Sequence, residues 1–224
     1  MNKMFASFAA IAGMALGSAA VFAQAGAPAR PLHPMSFFVS SSALAGTGNL
    51  GGLAGADKVC QDLATVVGAG NRTWHAYLSS QPAGGIPGEN ARERIGEGPW
   101  YNAKGTMIAA NVIDLHGDLE RDRNTIQGAT ALNEKGEPYM PADMQNMHDI
   151  LTGSDSEGRA FPAGIDTTCN NWTSDTNAYH AIVAHADRSG PNTSWNSTHL
   201  SRGCSKELLQ MNGYSGHLYC FAIN

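Results

Sequence analysis

The chain has little charge, and little positive charge in particular. Only 15% of its 224 residues are Asp, Glu, Lys or Arg, and 14 Lys and Arg stand against 19 Asp and Glu. No basic stripe exists to replace the counterions of a phosphate backbone, which argues against a nucleic-acid partner. The same acidity argues against simple docking on an anionic membrane. Beyond residue 22 no segment approaches the ~20 apolar residues that a bilayer crossing requires, so no integral membrane segment is expected after the N-terminal region. There is no His-Glu-x-x-His and no Gly-x-Ser-x-Gly, which removes the simplest zinc-protease and serine-hydrolase signatures. The chain has only four cysteines, and none forms a close Cys-x-x-Cys pair, which disfavours a four-thiolate zinc site.

What is present begins at residue 1. Met1-Asn2-Lys3 is a short basic start, residues 4–22 are small or apolar and uncharged, and Val21-Phe22-Ala23 ends on a small residue. These are the three parts of an export signal, with cleavage expected after Ala23. Residues 24–35 are rich in Pro and Ala and read as a flexible leader. Residues 36–224 fit one ordinary domain, large enough to bury a core. A periplasmic or extracellular address is oxidising, so the even count of cysteines predicts two disulfides. Spacing alone leaves all three pairings of Cys60, Cys169, Cys204 and Cys220 open.

Local patterns predict an α+β fold. Phe37-Phe38-Val39 opens as a strand. Leu53, Ala56, Cys60, Leu63 and Val67 recur at helical spacing, and Gly68 and Gly70 stop that helix. Residues 73–79 alternate as a strand, with Trp74, Ala76 and Leu78 on one side. Residues 91–95 suit one helical turn. Residues 99–160 carry weak periods and many turn formers, and long ordered loops are expected there. Residues 179–183 and 218–223 read as strands.

Several of these segments resemble a known family. Residues 51–60 (GGLAGADKVC), residues 74–80 (WHAYLSS), residues 152–159 (TGSDSEGR), Cys169-Asn170-Asn171-Trp172 and Leu218-Tyr219-Cys220-Phe221 together resemble the endostatin domain of collagens, within the C-type-lectin-like group. The resemblance spans most of residues 36–224 and is poor over 81–147. It implies a C-type-lectin-like, endostatin-like fold with the pairs Cys60–Cys220 and Cys169–Cys204. Closing nearly the whole domain with the first pair is worth about 4 to 5 kcal/mol in the chain-entropy model. Endostatin's N-terminal histidine cluster is not reproduced at His33, and its arginine-rich heparin surface is absent, so neither property carries over.

The resemblance also implies a function. It points to a secreted or periplasmic binding module of lectin type, non-catalytic, whose partner is a glycan. A cell-surface or extracellular protein is the alternative partner. Trp195-Asn196-Ser197 matches the Trp-Asn-Asp motif that holds calcium in C-type lectins, except that Ser197 replaces the acid. No cofactor is otherwise indicated, and calcium is the one candidate, weakened by the missing carboxylate. Trp172, Trp195, Asn196, His199 and Arg202 are the expected ligand-binding residues. An exposed indole stacks on a sugar face, and Asn, His and Arg bond its hydroxyls; burial of both tryptophans in the core is the competing expectation. The acidic run Asp114, His116, Asp118, Glu120, Asp122 reads as a solvated loop rather than a calcium loop. His148-Asp149 and His185-Ala186-Asp187 are the pairs on which a histidine-dependent hydrolase, a third possibility, would rest.

Overall fold

The computed structural model describes residues 33–41, 46–117, 123–140, 148–211 and 216–224. The export signal, most of the leader, and Asp118, Glu120 and Asp122 lie outside the described residues.

The elements run in the order β1 (Phe37–Val39), α1 (Gly52–Val66), β2 (Trp74–Ala76), α2 (Ala91–Arg94), β3 (Trp100–Tyr101), β4 (Met107–Ala109), α3 (Val112–His116), β5 (Asp149–Leu151), α4 (Cys169–Trp172), β6 (Ile182–His185), β7 (His199–Leu200), α5 (Lys206–Met211) and β8 (Tyr219–Ala222). Among the described residues three small antiparallel sheets are formed: β1-β8-β2, β3-β4 and β5-β6-β7. The fold is therefore α+β, with the disulfides Cys60–Cys220 and Cys169–Cys204.

Helix α1 forms where the sequence places it. Its buried residues, Ala56, Cys60 and Ala64, lie at i, i+4 spacing on one face. Their small side chains let the helix lie close to the first sheet. Gly68, at φ 80°, ends it with a Schellman pattern: its amide donates to the Thr65 carbonyl at 3.0 Å, and the Ala69 amide to the Ala64 carbonyl at 2.8 Å. Asp57 accepts from the Ala76 amide at 2.9 Å, and both of its oxygens accept from Arg94 Nη2, at 2.8 and 2.7 Å. One carboxylate thus joins α1, β2 and α2.

β8 is the centre of the first sheet and is buried on both faces. Cys220 faces the core that holds Phe38, Trp74, Ala76, Leu78 and the α1 residues. Tyr219 and Phe221 face a second core with Phe37, Val39, Tyr77, Trp100 and Trp195. The period of two thus feeds two cores from one strand.

The stretch 99–160 is more structured than its sequence suggests, since β3, β4, α3 and β5 all lie in it. These elements have two to five residues each, too few for a period to register. The strand expected at 179–183 begins later, at Ile182, and runs to His185. Residues 169–172 adopt left-handed backbone, with φ of 48°, 55°, 53° and 64°. Such geometry costs roughly 1–2 kcal/mol per non-glycine residue. It is held by the Cys169–Cys204 bridge, by Trp172 Nε1 donating to the Ser79 carbonyl at 2.8 Å, and by Asn171, whose amide group bonds the Gln81 backbone at 2.7 and 3.0 Å.

Buried His217 donates from Nδ1 to the Ser40 carbonyl at 2.6 Å. Desolvation lowers its pKa below the ordinary histidine value, despite the opposing pull of that carbonyl and of Glu134. The unfolded chain therefore binds a proton near pH 6.5 that the folded chain refuses. Stability contributed by neutral His217 is complete above that pH and is lost as the pH falls through it. Urea titrations at pH 7.5 and 5.5 should show a smaller acid-induced loss in His217→Gln than in the wild type; equal losses contradict this.

Candidate metal centre

The third sheet brings three ligand-bearing side chains to one face by register alone. Asp149 on β5 stands directly opposite His185 on β6, and His199 on β7 stands opposite Val183, two residues before His185. Opposed residues and residues two apart share a face. His148, just before β5, folds over so that its ring stacks on His185, with centroids 4.2 Å apart and planes 20° apart.

Three imidazole Nε2 atoms converge on one carboxylate. His185 Nε2 lies 3.2 Å and His148 Nε2 3.6 Å from Asp149 Oδ1, while His199 Nε2 lies 3.6 Å from Oδ2. The His185 and His199 Nε2 atoms are 3.3 Å apart. The Asp149 side chain is fully buried, and neither of its oxygens has a hydrogen bond of good geometry. His148, Asp149 and His185 can each present one ligand atom within 4.8 Å of the others.

The outward nitrogens determine what the inward ones carry. His185 Nδ1 faces the Ser189 carbonyl at 2.8 Å, which can only accept. His148 Nδ1 faces both Asp187 oxygens at 3.1 Å and Ser189 Oγ at 2.9 Å. His199 Nδ1 faces the Leu200 carbonyl at 3.3 Å. In the neutral His148 and His185 rings the proton therefore sits on Nδ1 and the lone pair on Nε2, whereas His199, with only the longer Nδ1 contact, has its Nε2 within donating distance of the His185 Nε2 lone pair. The His148 and His185 lone pairs then point toward an acceptor-only carboxylate, an arrangement that requires a cation or added protons between them.

The turn after β6 holds these partners in place. The Arg188 amide closes the turn on the His185 carbonyl at 3.0 Å, with Arg188 itself at φ 54°. The Ser189 amide and hydroxyl both donate to Asp187, at 3.0 and 2.9 Å. Burial alone would raise the Asp187 pKa, but the Ser189 bonds and His148 outweigh it and hold the carboxyl below its usual value. For His185 burial alone would lower the pKa, but Asp149, the Ser189 carbonyl and Asp187 together raise it.

The ligand-binding residues expected from the sequence divide sharply. His199 belongs to the cluster. Trp172 and Trp195 have no exposed surface, so neither indole offers a stacking face and the expected tryptophan platform is not formed. Trp195 packs on Tyr77, Tyr219 and His116. Asn196 is buried, and its Nδ2 donates to Tyr77 Oη at 3.0 Å and to the Ser156 carbonyl at 3.0 Å, while Oδ1 accepts from Ser194 Oγ at 3.1 Å. Its amide is spent on internal bonds, which leaves the calcium motif without its remaining side-chain oxygen. Arg202 is exposed and takes no part in the cluster. In the acidic run, Asp114 is paired with Arg123, and buried His116 accepts from Tyr77 Oη at 2.8 Å.

The sequence singles out His148-Asp149 and His185-Ala186-Asp187 but gives no sign that they meet. Only the strand register unites them. No family model matches the chain, and no curated protein matches it.

Asn196→Ala is expected to destabilise the fold by about 1–3 kcal/mol through the bonds it strands. Calcium is expected to leave the melting temperature of wild type and variant alike. A calcium-dependent rise abolished by the substitution would restore the calcium role of Asn196.

Proposed function

We propose that the protein is an exported metal-binding module whose ion is a divalent transition metal, with zinc the first candidate, held by His148, Asp149 and His185. The observation that carries this is the buried Asp149 carboxylate, neither oxygen of which makes a well-formed hydrogen bond, facing the Nε2 atoms of His148 and His185, whose rings hold their protons on the far side. Imidazole and carboxylate suit zinc and its neighbours, whereas calcium and magnesium prefer oxygen alone. Ligands about 2.0–2.1 Å from a tetrahedral ion lie about 3.3 Å apart, and the separations of 3.2 and 3.6 Å from Asp149 Oδ1 are close to that spacing. Asp187 and Ser189 complete the arrangement by orienting His148 and His185 through their outer nitrogens, as second-layer groups do in metalloproteins.

The scaffold is proposed to be C-type-lectin-like, of endostatin type. Its support is the ordered set of sequence motifs together with the pairing of α1 to β8 and of Cys169 to Cys204. A periplasmic or extracellular address is supported by the two disulfides and by the absence, among the described residues, of a helix long and apolar enough to cross a membrane. Glycan binding is kept as a second reading because a cavity of about 170 Å³ lies beside residues 169–172, lined by Gln81, Asp166, Asn170, Asn171 and Tyr179 among others. Most of its polar atoms already serve internal bonds, so it ranks below the metal centre. A glycan array run with the oxidised protein tests it.

Isothermal titration of the chelator-treated, oxidised protein is expected to show one zinc ion per chain. Asp149→Asn and His185→Ala should each weaken binding at least about 100-fold, beyond the usual effect of an outer-layer change. Unchanged zinc affinity in both variants would sink the assignment.

A further inference from the structure

Resting on the metal reading above, we propose that the centre keeps one coordination position open on its His199 side, and that this position takes a small exogenous oxygen or nitrogen donor, such as a carboxylate or other small anion, to which His199 Nε2 is the hydrogen-bonding partner.

The four side chains are unequally placed. Asp149 is fully buried, and the His185 and His148 side chains are 6% and 18% exposed, whereas that of His199 is 39% exposed. Solvent therefore reaches the cluster from the His199 side. His148 and His185 both address Asp149 Oδ1, while His199 addresses Oδ2, the other oxygen of the carboxylate. His199 thus lies beside the three-ligand set rather than on the same oxygen.

The ring supports differ as well. His148 and His185 are held through Nδ1 by contacts of 2.8 to 3.1 Å from Asp187 and Ser189. His199 has a 3.3 Å contact to the carbonyl of its own neighbour, Leu200, on a two-residue edge strand. Two rings are fixed as ligands need to be, and the third is held more loosely. Three protein ligands with a fourth position left to water or substrate is the pattern of open zinc sites, and four protein ligands that of closed ones. His199 Nε2, 3.3 Å from His185 Nε2, borders the place where such a fourth donor would sit.

Cobalt(II) replaces zinc with a visible spectrum that reports coordination number. Cobalt-loaded wild-type protein should change its spectrum saturably when azide is added. His199→Ala should still bind cobalt within about tenfold of wild type, the scale of an outer-layer loss, and should bind azide several-fold more weakly. His199→Gln, which keeps a hydrogen-bonding amide, should recover part of the azide affinity. A four-coordinate cobalt spectrum unmoved by azide, or a cobalt affinity more than about 100-fold lower in His199→Ala, would overturn the inference by making His199 a protein ligand. Failure of the wild type to bind cobalt or zinc would overturn the metal reading itself.

Discussion

Much of this structure turns on one buried carboxylate. Asp149 has no solvent exposure and no well-formed hydrogen bond, and it lies in a sheet whose neighbours are three histidines. A buried charge left uncompensated costs about 3–5 kcal/mol. Compensation has two sources, protons on the imidazoles or a metal ion among them. Asp149, the Ser189 carbonyl and Asp187 raise the His185 pKa against the effect of its burial, which is the direction that the first source requires. The outward protons on Nδ1 prepare the second, because they leave the inward lone pairs ready to bind.

The rest of the fold explains why so short a sheet can hold that arrangement. β5, β6 and β7 have four residues or fewer, but Ile150 and Ala184 pack into one core and Leu151 and Val183 into the other. The sheet is therefore anchored on both faces while its Asp149–His185 end carries the polar cluster. The Thr152 hydroxyl donates to the Asn196 carbonyl at 2.7 Å and ties the segment before β7 to that following β5. Asn196 in turn binds Tyr77, which links the site's surroundings to the first sheet and so to the Cys60–Cys220 bridge.

Much of the scaffold was legible in the sequence because its signals are local. Leu53, Ala56, Cys60 and Leu63 mark the inward face of α1, though Val67, read with them, is exposed; Gly68 marks its end, and alternation in residues 74–78 marks β2. The disulfide pairing was implied by resemblance rather than by spacing, and the structure forms the same pairs. The site was only half legible. His148-Asp149 and His185-Ala186-Asp187 stand out as dipeptide-scale pairs, but their meeting depends on the β5-β6 register across 36 residues, which no local pattern encodes. Trp172 and Trp195 misled in the opposite direction, because a tryptophan beside Asn reads alike whether it faces a ligand or the core.

The most direct test is the position of the ion itself. Crystals of the oxidised protein grown with zinc would be measured on both sides of the zinc absorption edge. The account predicts an anomalous peak about 2.0–2.2 Å from His148 Nε2, His185 Nε2 and an Asp149 oxygen. A fully zinc-loaded crystal with its peak elsewhere, or with Asp149 hydrogen-bonded to protonated histidines and no ion between them, would contradict it.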